Sequence, residues 1–265
     1  MERKNVVLGM LMGFFVVQGA LADTVALQPV KDNTLYESPS GSLSNGAGQH
    51  LFAGRNSQPA NSRRRAVISF DISGNVPSGS TVVGVSLTMT ASANSSGSTN
   101  VALHRLTSAW GEGTSDAGNP GGQGTAATTG DATWLHTFFD TDVWSTTGGD
   151  FDPAASGSIP VVGTGPITWS SSPAMVDDVQ TWLDTAASNF GWALIGDETV
   201  GGTAVRFFSR ESGMPGNRPS LVVEFTPPAA GIPAVSEWGL LVMMLSVITA
   251  AKVVFRRWRP LTGSK

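Results

Sequence analysis

Short apolar runs separated by glycine, serine, asparagine and proline recur from residue 24 to residue 226. The run 66–72 is rich in β-branched residues, and the run 82–90 alternates apolar with polar residues as a half-buried strand does. Further runs with a strand pattern are 24–37, 50–54, 100–107, 166–170, 191–196, 203–210 and 219–226. Short strands at this spacing predict an all-β fold, an antiparallel β-sandwich that is jelly-roll-like.

One segment of this region has a helical pattern instead. Ser172 can cap a helix whose first position is Pro173. Apolar residues then recur on one helical face at Met175 or Val176, Val179, Trp182 and Leu183. We therefore expect one short helix packed on the sandwich.

A long insert, 109–159, separates the two halves of the predicted sandwich. Glycine, serine, threonine and aspartate dominate it, and six large aromatic residues are scattered along it without a period. Loops of this length in a compact domain are either functional or disordered. The aromatic content predicts an ordered excursion that folds back on the core.

Both ends of the chain are apolar and flanked by basic residues. Residues 1–22 combine a positive start, an apolar run and small residues at 20 and 22, which predicts a secretory signal peptide. Residues 238–255 contain one charge, Lys252, and a helix of this length just crosses a membrane. We expect a transmembrane helix and basic cytoplasmic end over 238–259, followed by a tail at 260–265.

A proline-rich linker, 227–237, precedes this predicted helix. The order of linker, helix and basic end resembles the IPTL-CTERM protein-sorting signal, whose pattern is Ile-Pro-Thr-Leu-x-x-Trp-Gly. The corresponding residues are Ile232, Pro233, Trp238 and Gly239, with Arg256 and Arg257 in the basic end, whereas Ala234 and Val235 replace threonine and leucine. The resemblance implies processing by an exosortase-like sorting enzyme. A plain C-terminal membrane anchor is the alternative, and both predict an exported, membrane-anchored chain that reaches the cell surface or extracellular matrix.

The charge of the central region restricts its partners. Residues 23–237 carry 19 acidic and 9 basic side chains, a net charge of −10, so no nucleic-acid partner is expected. The chain has no cysteine, so an exported domain must be held by packing alone or with a bound ion. Its length suits one domain, 23–226.

Two tryptophans of the insert are candidate sugar platforms. Aromatic faces stack on the apolar faces of pyranose rings, and Trp134 and Trp144 lie where an ordered insert could present them. The alternative is that both plug one end of the sandwich core. Trp182 and Trp192 are expected in the core.

The densest basic cluster, Arg63, Arg64 and Arg65, is the candidate site for an acidic sugar. Strand alternation sends Arg64 to the face opposite its neighbours, which leaves Arg63 and Arg65 to bind a uronate carboxylate. Pairing with the protein's own acidic side chains is the alternative. Arg206, Arg210 and Glu211 are expected to form salt bridges at strand ends on the same argument.

The acidic turns of the insert offer oxygen ligands to a calcium ion. Asp140, Asp142, Asp150 and Asp152 could bind calcium, but their spacing matches no established loop, so solvated turn residues are the alternative and no metal ligands are assigned. Catalytic motifs built on histidine, serine or cysteine are missing from the sequence. We therefore expect no enzymatic activity.

Several segments in a fixed order resemble the DNRLRE domain, a β-sandwich module of exported bacterial and archaeal proteins. The segments are 66–72, 77–90, 101–113, 130–134, 144–151, 178–182, 191–192 and 206–211. Members of this family often accompany polysaccharide-degrading enzymes, and some relatives bind carbohydrates, including alginate. The resemblance implies a non-catalytic, carbohydrate-binding or matrix-associated module. A structural or adhesive surface protein without sugar binding is the alternative, and a polysaccharide-cleaving enzyme is the third.

Overall fold

The computed structural model describes residues 21–229 and 237–257, and the chain divides into two compact units after Pro228. The signal-peptide prediction, apart from Leu21 and Ala22, lies outside the described residues. Ile232 and Pro233 of the predicted sorting signal also lie outside them, as do the side chains of Trp238, Arg256 and Arg257.

Strands make up most of the regular structure in the described part of the first unit. They are β1 (Asp23–Leu27), β2 (Pro29–Tyr36), β3 (Leu43–Ser44), β4 (His50–Arg55), β5 (Arg63–Phe70), β6 (Thr81–Asn94), β7 (Ser98–Leu106), β8 (Thr125–Ala126), β9 (His136–Phe138), β10 (Asp142–Val143), β11 (Phe151–Val162), β12 (Gly165–Trp169), β13 (Trp192–Gly196), β14 (Val205–Phe208) and β15 (Ser220–Thr226). One α-helix, α1 (Pro173–Asp184), lies between β12 and β13.

Eleven of these strands form one sheet that curls into two facing layers. The strand order is β1-β15-β6-β14-β4-β5-β13-β7-β11, with β12 also paired to β6 and β2 to β5. All of these pairings are antiparallel. Two short strand pairs, β3 with β8 and β9 with β10, lie outside the large sheet. The prediction of an all-β, antiparallel sandwich is confirmed.

The main core lies between the two layers and is built from the inward residues of each strand. Ile68 of β5 is opposite Trp192 of β13 in the ladder, and both are fully buried with Leu87 of β6. Each large apolar side chain buried in this way contributes about 1.5–3 kcal/mol relative to exposure. Packing of this kind stabilises the domain without disulfides, since the chain has no cysteine.

The prediction of a single strand at 24–37 is wrong in one respect, because the structure has two strands in this segment. Leu27 of β1 pairs with Leu221 of β15, whereas Pro29 of β2 pairs with Phe70 of β5. The chain therefore crosses from one layer to the other at residue 28. Pro29 is the first residue of β2, a position where its missing amide donor costs no ladder bond.

The predicted helix is confirmed as α1. Its N-cap is Ser172, whose hydroxyl accepts a hydrogen bond from the Met175 amide at 3.1 Å, and Pro173 opens the helix. The face packed on the sheet carries Met175, Asp178, Val179, Trp182 and Leu183. The insert is shorter than predicted, because 151–162 form β11, which pairs with β7 at the edge of the sheet.

The second unit contains a helix, α2 (Glu237–Arg257). Seven of its large apolar side chains between 241 and 248 are exposed by 49–66%. Among the described residues, however, no helix combines the length and the apolar character needed to cross a membrane. The helix predicted at 238–259 is present over the described residues 238–257, and its transmembrane character stays a prediction.

Candidate functional site

The insert covers part of the outer face of the β5–β13 layer. Val67 and Ala193 alternate with Ile68 and Trp192 along their strands, so they point away from the main core. Together with Leu35 and Leu106 they form a second apolar cluster under the insert, which contributes Trp110, Ala132, Trp134 and Trp144. The prediction that the insert is ordered and folds back on the core is confirmed.

Trp134 and Trp144 belong to this second core and not to the surface. Their exposed fractions are 5% and 4%, and the Trp144 indole nitrogen donates a hydrogen bond to the Thr133 carbonyl at 2.9 Å. A sugar ring cannot stack on a ring face that is already packed. Their burial therefore contradicts the prediction that they are sugar platforms. The rings are buried because contact with the apolar face of the sheet is more favourable than contact with water.

The guanidinium groups of Arg63 and Arg65 are used within the protein. Arg65 binds Glu198 through two bonds of 2.7 and 2.8 Å, donates to the Gly148 carbonyl at 2.9 Å and lies 4.9 Å from the Trp134 ring centre. Arg63 donates to Glu37 at 2.6 and 2.9 Å. Hydrogen bonds from Arg63 lower the pKa of Glu37 although burial opposes this shift. Both arginines are thus neutralised, and the internal pairing fits better than a uronate site.

Arg64 points to the opposite side of β5, as strand alternation predicts. Its side chain is buried, lies 4.9 Å from the Tyr36 ring centre and donates to the carbonyls of Asn61, Arg63 and Gly122. Burial lowers the pKa of Arg64. This arginine joins the segment 120–124 to the sandwich, and its Nε and Nη1 atoms are both used within the protein.

An open cleft of about 570 Å³ lies on the outer face of the same layer, beside the insert. It follows β7, whose outward residues are Asn100, Ala102 and His104, and the end of β13. Polar and apolar groups contribute about equally to its surface. The lining consists of Ser98, Thr99, Asn100, Ala102, His104, Ile195, Gly196, Asp197 and Thr203. Backbone ladders hold these positions on both strands, so the cleft has a rigid floor.

One residue of the cleft lining, His104, packs against an aromatic ring outside it. His104 and Phe151 have ring centres 5.4 Å apart, and the His104 Nδ1 atom lies 2.9 Å from the Asp152 carbonyl oxygen. Nδ1 therefore donates to that oxygen, which leaves Nε2 as the acceptor of the ring. Phe151 also lines a second cavity of about 420 Å³, so the two cavities adjoin at this ring pair.

Three carboxylates that are distant in the sequence converge on the other side of the insert. Asp32, Glu112 and Glu211 each offer an oxygen within 4.8 Å of the others. Arg210 contacts Glu112 at 3.1 Å and Glu211 at 2.7 Å, so the salt bridge predicted for Arg210 and Glu211 is confirmed. The prediction for Arg206 is wrong, because its guanidinium donates to the Ser92 hydroxyl at 2.8 Å. Burial, and then the Glu211 carboxylate, raise the pKa of Asp32. Among the described residues, this is the set that could hold a metal ion.

The acidic turns considered for calcium are not part of that set. Asp140 and Asp142 are exposed, and Asp140 has a φ of +70° in a tight turn. Asp150 accepts hydrogen bonds from the amides of Ser145 and Thr146, and Asp152 accepts one from Ala154, so these carboxylates close local turns. The solvated-turn alternative fits their positions.

Neither the cleft nor the carboxylate cluster was found from the sequence. Asp32 lies near the start of the domain sequence, Glu211 near its end, and Glu112 in the insert. No sequence motif therefore links the three residues, although they meet in the structure. Asp32 stands in a strand that also carries Lys31, Asn33 and Thr34, so its neighbours gave no sign that its carboxylate would be buried. The cleft depends on which part of the sheet the insert leaves uncovered, which no local pattern encodes.

The fold and the site together define an antiparallel β-sandwich with an insert-covered face and an open cleft. No family model matches the chain, and no characterised protein matches it either. The resemblances to the DNRLRE domain and to the sorting signal therefore stay predictions from the sequence.

Proposed function

We propose that the protein is an exported, non-catalytic β-sandwich module that binds a neutral polysaccharide at the cell surface or in the extracellular matrix. The observation that carries the proposal is the open cleft of about 570 Å³ along β7 and β13. Its rigid floor and its row of amide, hydroxyl, imidazole and carboxylate groups suit hydrogen bonding to sugar hydroxyls.

The charges around the cleft favour a neutral ligand over an acidic one. Asp197 is the charged residue of the lining, and hydrogen bonds from Thr199 lower the pKa of its carboxyl group, so it is ionised at neutral pH. The nearby Arg65 is already paired with Glu198. A uronate would meet a carboxylate and no free cation here, so alginate-like ligands do not fit this cleft.

The same lining supports a binding role without catalysis. Glycoside hydrolysis by the usual route needs two carboxyl groups that flank the scissile bond. The cleft lining contains one carboxylate, Asp197, while Asp32, Glu112 and Glu211 form a separate, largely buried cluster. We therefore propose that the bound glycan is held and not cleaved.

Export and surface attachment are part of the proposal. They are supported by the signal-peptide pattern of residues 1–22 and by the resemblance of Ile232, Pro233, Trp238 and Gly239 to a sorting signal. An exosortase-like enzyme is the proposed partner for processing. The mass of the mature C-terminus in cells that contain this enzyme tests it, since a chain that keeps Arg259 would rule out processing.

A structural or adhesive role without sugar binding is the second candidate, and one observation favours it. Within residues 21–229 all six tryptophans are buried, and no other aromatic side chain is fully exposed. This part of the chain therefore presents no fully exposed aromatic face for stacking, so any sugar must be held mainly by hydrogen bonds.

An array of neutral and uronate-containing polysaccharides separates these candidates. We expect the full-length protein to bind a neutral glycan and no uronate, with and without calcium, and to release no reducing or unsaturated ends. Binding to none of the glycans would favour the structural role. Release of new ends would show an enzyme instead.

A further inference from the structure

The carboxylate cluster of Asp32, Glu112 and Glu211 joins three separate segments of the fold. Asp32 lies in β2, Glu112 lies at the start of the insert, and Glu211 follows β14. Asp32 is fully buried and the two glutamates are half-buried. The cluster is therefore a junction inside the domain and not a solvated acidic surface.

The cations near the cluster do not saturate it. Arg210 donates through Nη1 to both oxygens of Glu112 and to Oε1 of Glu211, and its backbone amide donates to Oδ2 of Asp32 at 2.8 Å. Lys31 is directed elsewhere, because its ammonium donates to the Trp110 carbonyl at 2.6 Å and lies 4.2 Å from the Trp110 ring centre. Three carboxylates thus share one directly bonded guanidinium.

Two oxygens of the cluster accept no hydrogen bond from an N–H or O–H group of the described residues, although the carboxyl groups of Asp32 and Glu211 contact each other. They are Oδ1 of Asp32 and Oε2 of Glu211, and both are buried. A buried polar atom without a partner costs about 1–3 kcal/mol, and more when it is charged, so such atoms in a folded protein mark a missing ligand, water or ion. The two residues belong to one group whose ligand oxygens lie within 4.8 Å of one another.

We propose that Asp32, Glu112 and Glu211 bind one calcium ion. Calcium holds its oxygen ligands at about 2.3–2.6 Å, so two of its ligands lie at most about 5 Å apart, and the spacing in this cluster fits that limit. The ligand set is all oxygen, with neither histidine nor cysteine, which favours calcium over zinc. Magnesium requires a tighter octahedron at about 2.0–2.1 Å, which three carboxylates fixed on separate segments meet less readily.

A calcium ion at this position would connect β2, the insert and the segment after β14. That connection would do in a chain without cysteine what a disulfide does in other exported domains. The inference is independent of the sugar-binding proposal, because the cleft shares none of these three residues.

Calorimetric titration of the EGTA-treated, full-length protein with calcium chloride tests the site, with magnesium chloride present throughout. We expect one calcium ion per chain and a higher melting temperature in calcium. Asp32→Asn and Glu211→Gln, which keep side-chain size, should each weaken binding at least tenfold. Asp142→Asn is the matched control, since it removes an exposed carboxylate from a turn of the insert, and it should bind calcium like the wild type.

Three results would overturn the proposal. One is no binding by the wild type at millimolar calcium. Another is equal binding by Asp32→Asn, Glu211→Gln and Asp142→Asn. The third is stabilisation of the wild type by acid but not by calcium, which would mean that the carboxyl groups share a proton. If one cluster variant does not fold, the other and the wild-type titration still decide the question.

Discussion

Asp178 is a charged residue on the buried face of α1, and its contacts explain how the sandwich accepts it. Its carboxylate accepts hydrogen bonds from the Ser156 hydroxyl at 2.5 Å and from the Trp192 indole at 2.8 Å. Arg105 lies 3.4 Å from its other oxygen and also approaches Asp152. These contacts fix the helix to β11 and β13, but burial still raises the pKa of Asp178.

The raised pKa of Asp178 gives a prediction for the pH dependence of stability. A carboxyl group whose pKa is higher in the folded state contributes most stability below its ordinary pKa and loses that contribution as the pH rises through the raised value. In urea unfolding between pH 4 and pH 7, the wild type should therefore lose stability relative to Asp178→Asn as the pH rises. Arg105 and Asp152 face residue 178 in both proteins, so their effects on the two profiles are the same. If the free energy of unfolding depends on pH in the same way in both proteins, the assignment of a raised pKa to Asp178 is wrong.

The pairing of Arg65 with Glu198 predicts a structural role for this arginine. Glu198→Gln removes the charge that neutralises this largely buried guanidinium, whose other partners are the Gly148 carbonyl and the rings of Trp134 and Phe151. We therefore expect a loss of about 1–3 kcal/mol in the free energy of unfolding. Denaturant unfolding measures this loss, with Gln58→Ala at an exposed position as the control. A variant as stable as the control would show that the pair contributes nothing.

At the scale of elements, the insert is a second layer over the sheet and is held there by its tryptophans. Trp144→Ala should lower the free energy of unfolding by about 3–5 kcal/mol, because it opens a cavity and leaves the Thr133 carbonyl without its indole donor. Unfolding of the variant and its near-ultraviolet circular dichroism measure the effect. If the variant is as stable as the wild type and loses only sugar binding, Trp144 is a sugar-binding residue as the sequence predicted.

Elements defined by local chemistry could be predicted from the sequence, and elements defined by tertiary contacts could not. Ser172 and Pro173 act within one helical turn, so the start of α1 was readable. The alternation of Arg63, Arg64 and Arg65 could be predicted too, because side chains alternate between the two faces of any strand. The crossing at residue 28 and the strand at 151–162 depend on partners far along the chain, so both were predicted wrongly.

The candidate site was less predictable than the fold because aromatic content does not reveal which face of the sheet is covered. Tryptophans such as Trp134 and Trp144 are the residue type that binds sugar rings. In this fold they instead pack on Val67 and Ala193, the apolar residues on the outer face of the sheet. The carboxylates at 32, 112 and 211 meet only after the insert has packed. Spacing rules cannot find a cluster whose members come from three distant segments.

On the scale of the whole molecule, the central claim is that the open cleft of the sandwich binds a neutral glycan. Asn100 is the exposed amide of the cleft wall, and its side chain can be removed without touching either core. A lost hydrogen bond of this kind costs about 0.5–1.5 kcal/mol, which is about a twofold to tenfold change in affinity.

The most direct measurement is calorimetric titration of the full-length protein with the neutral polysaccharide that the array selects. We expect the wild type and Gln58→Ala to bind with equal affinity and Asn100→Ala to bind about twofold to tenfold more weakly, with its melting temperature unchanged. Equal affinity in all three proteins, or no binding by the wild type, would contradict the claim.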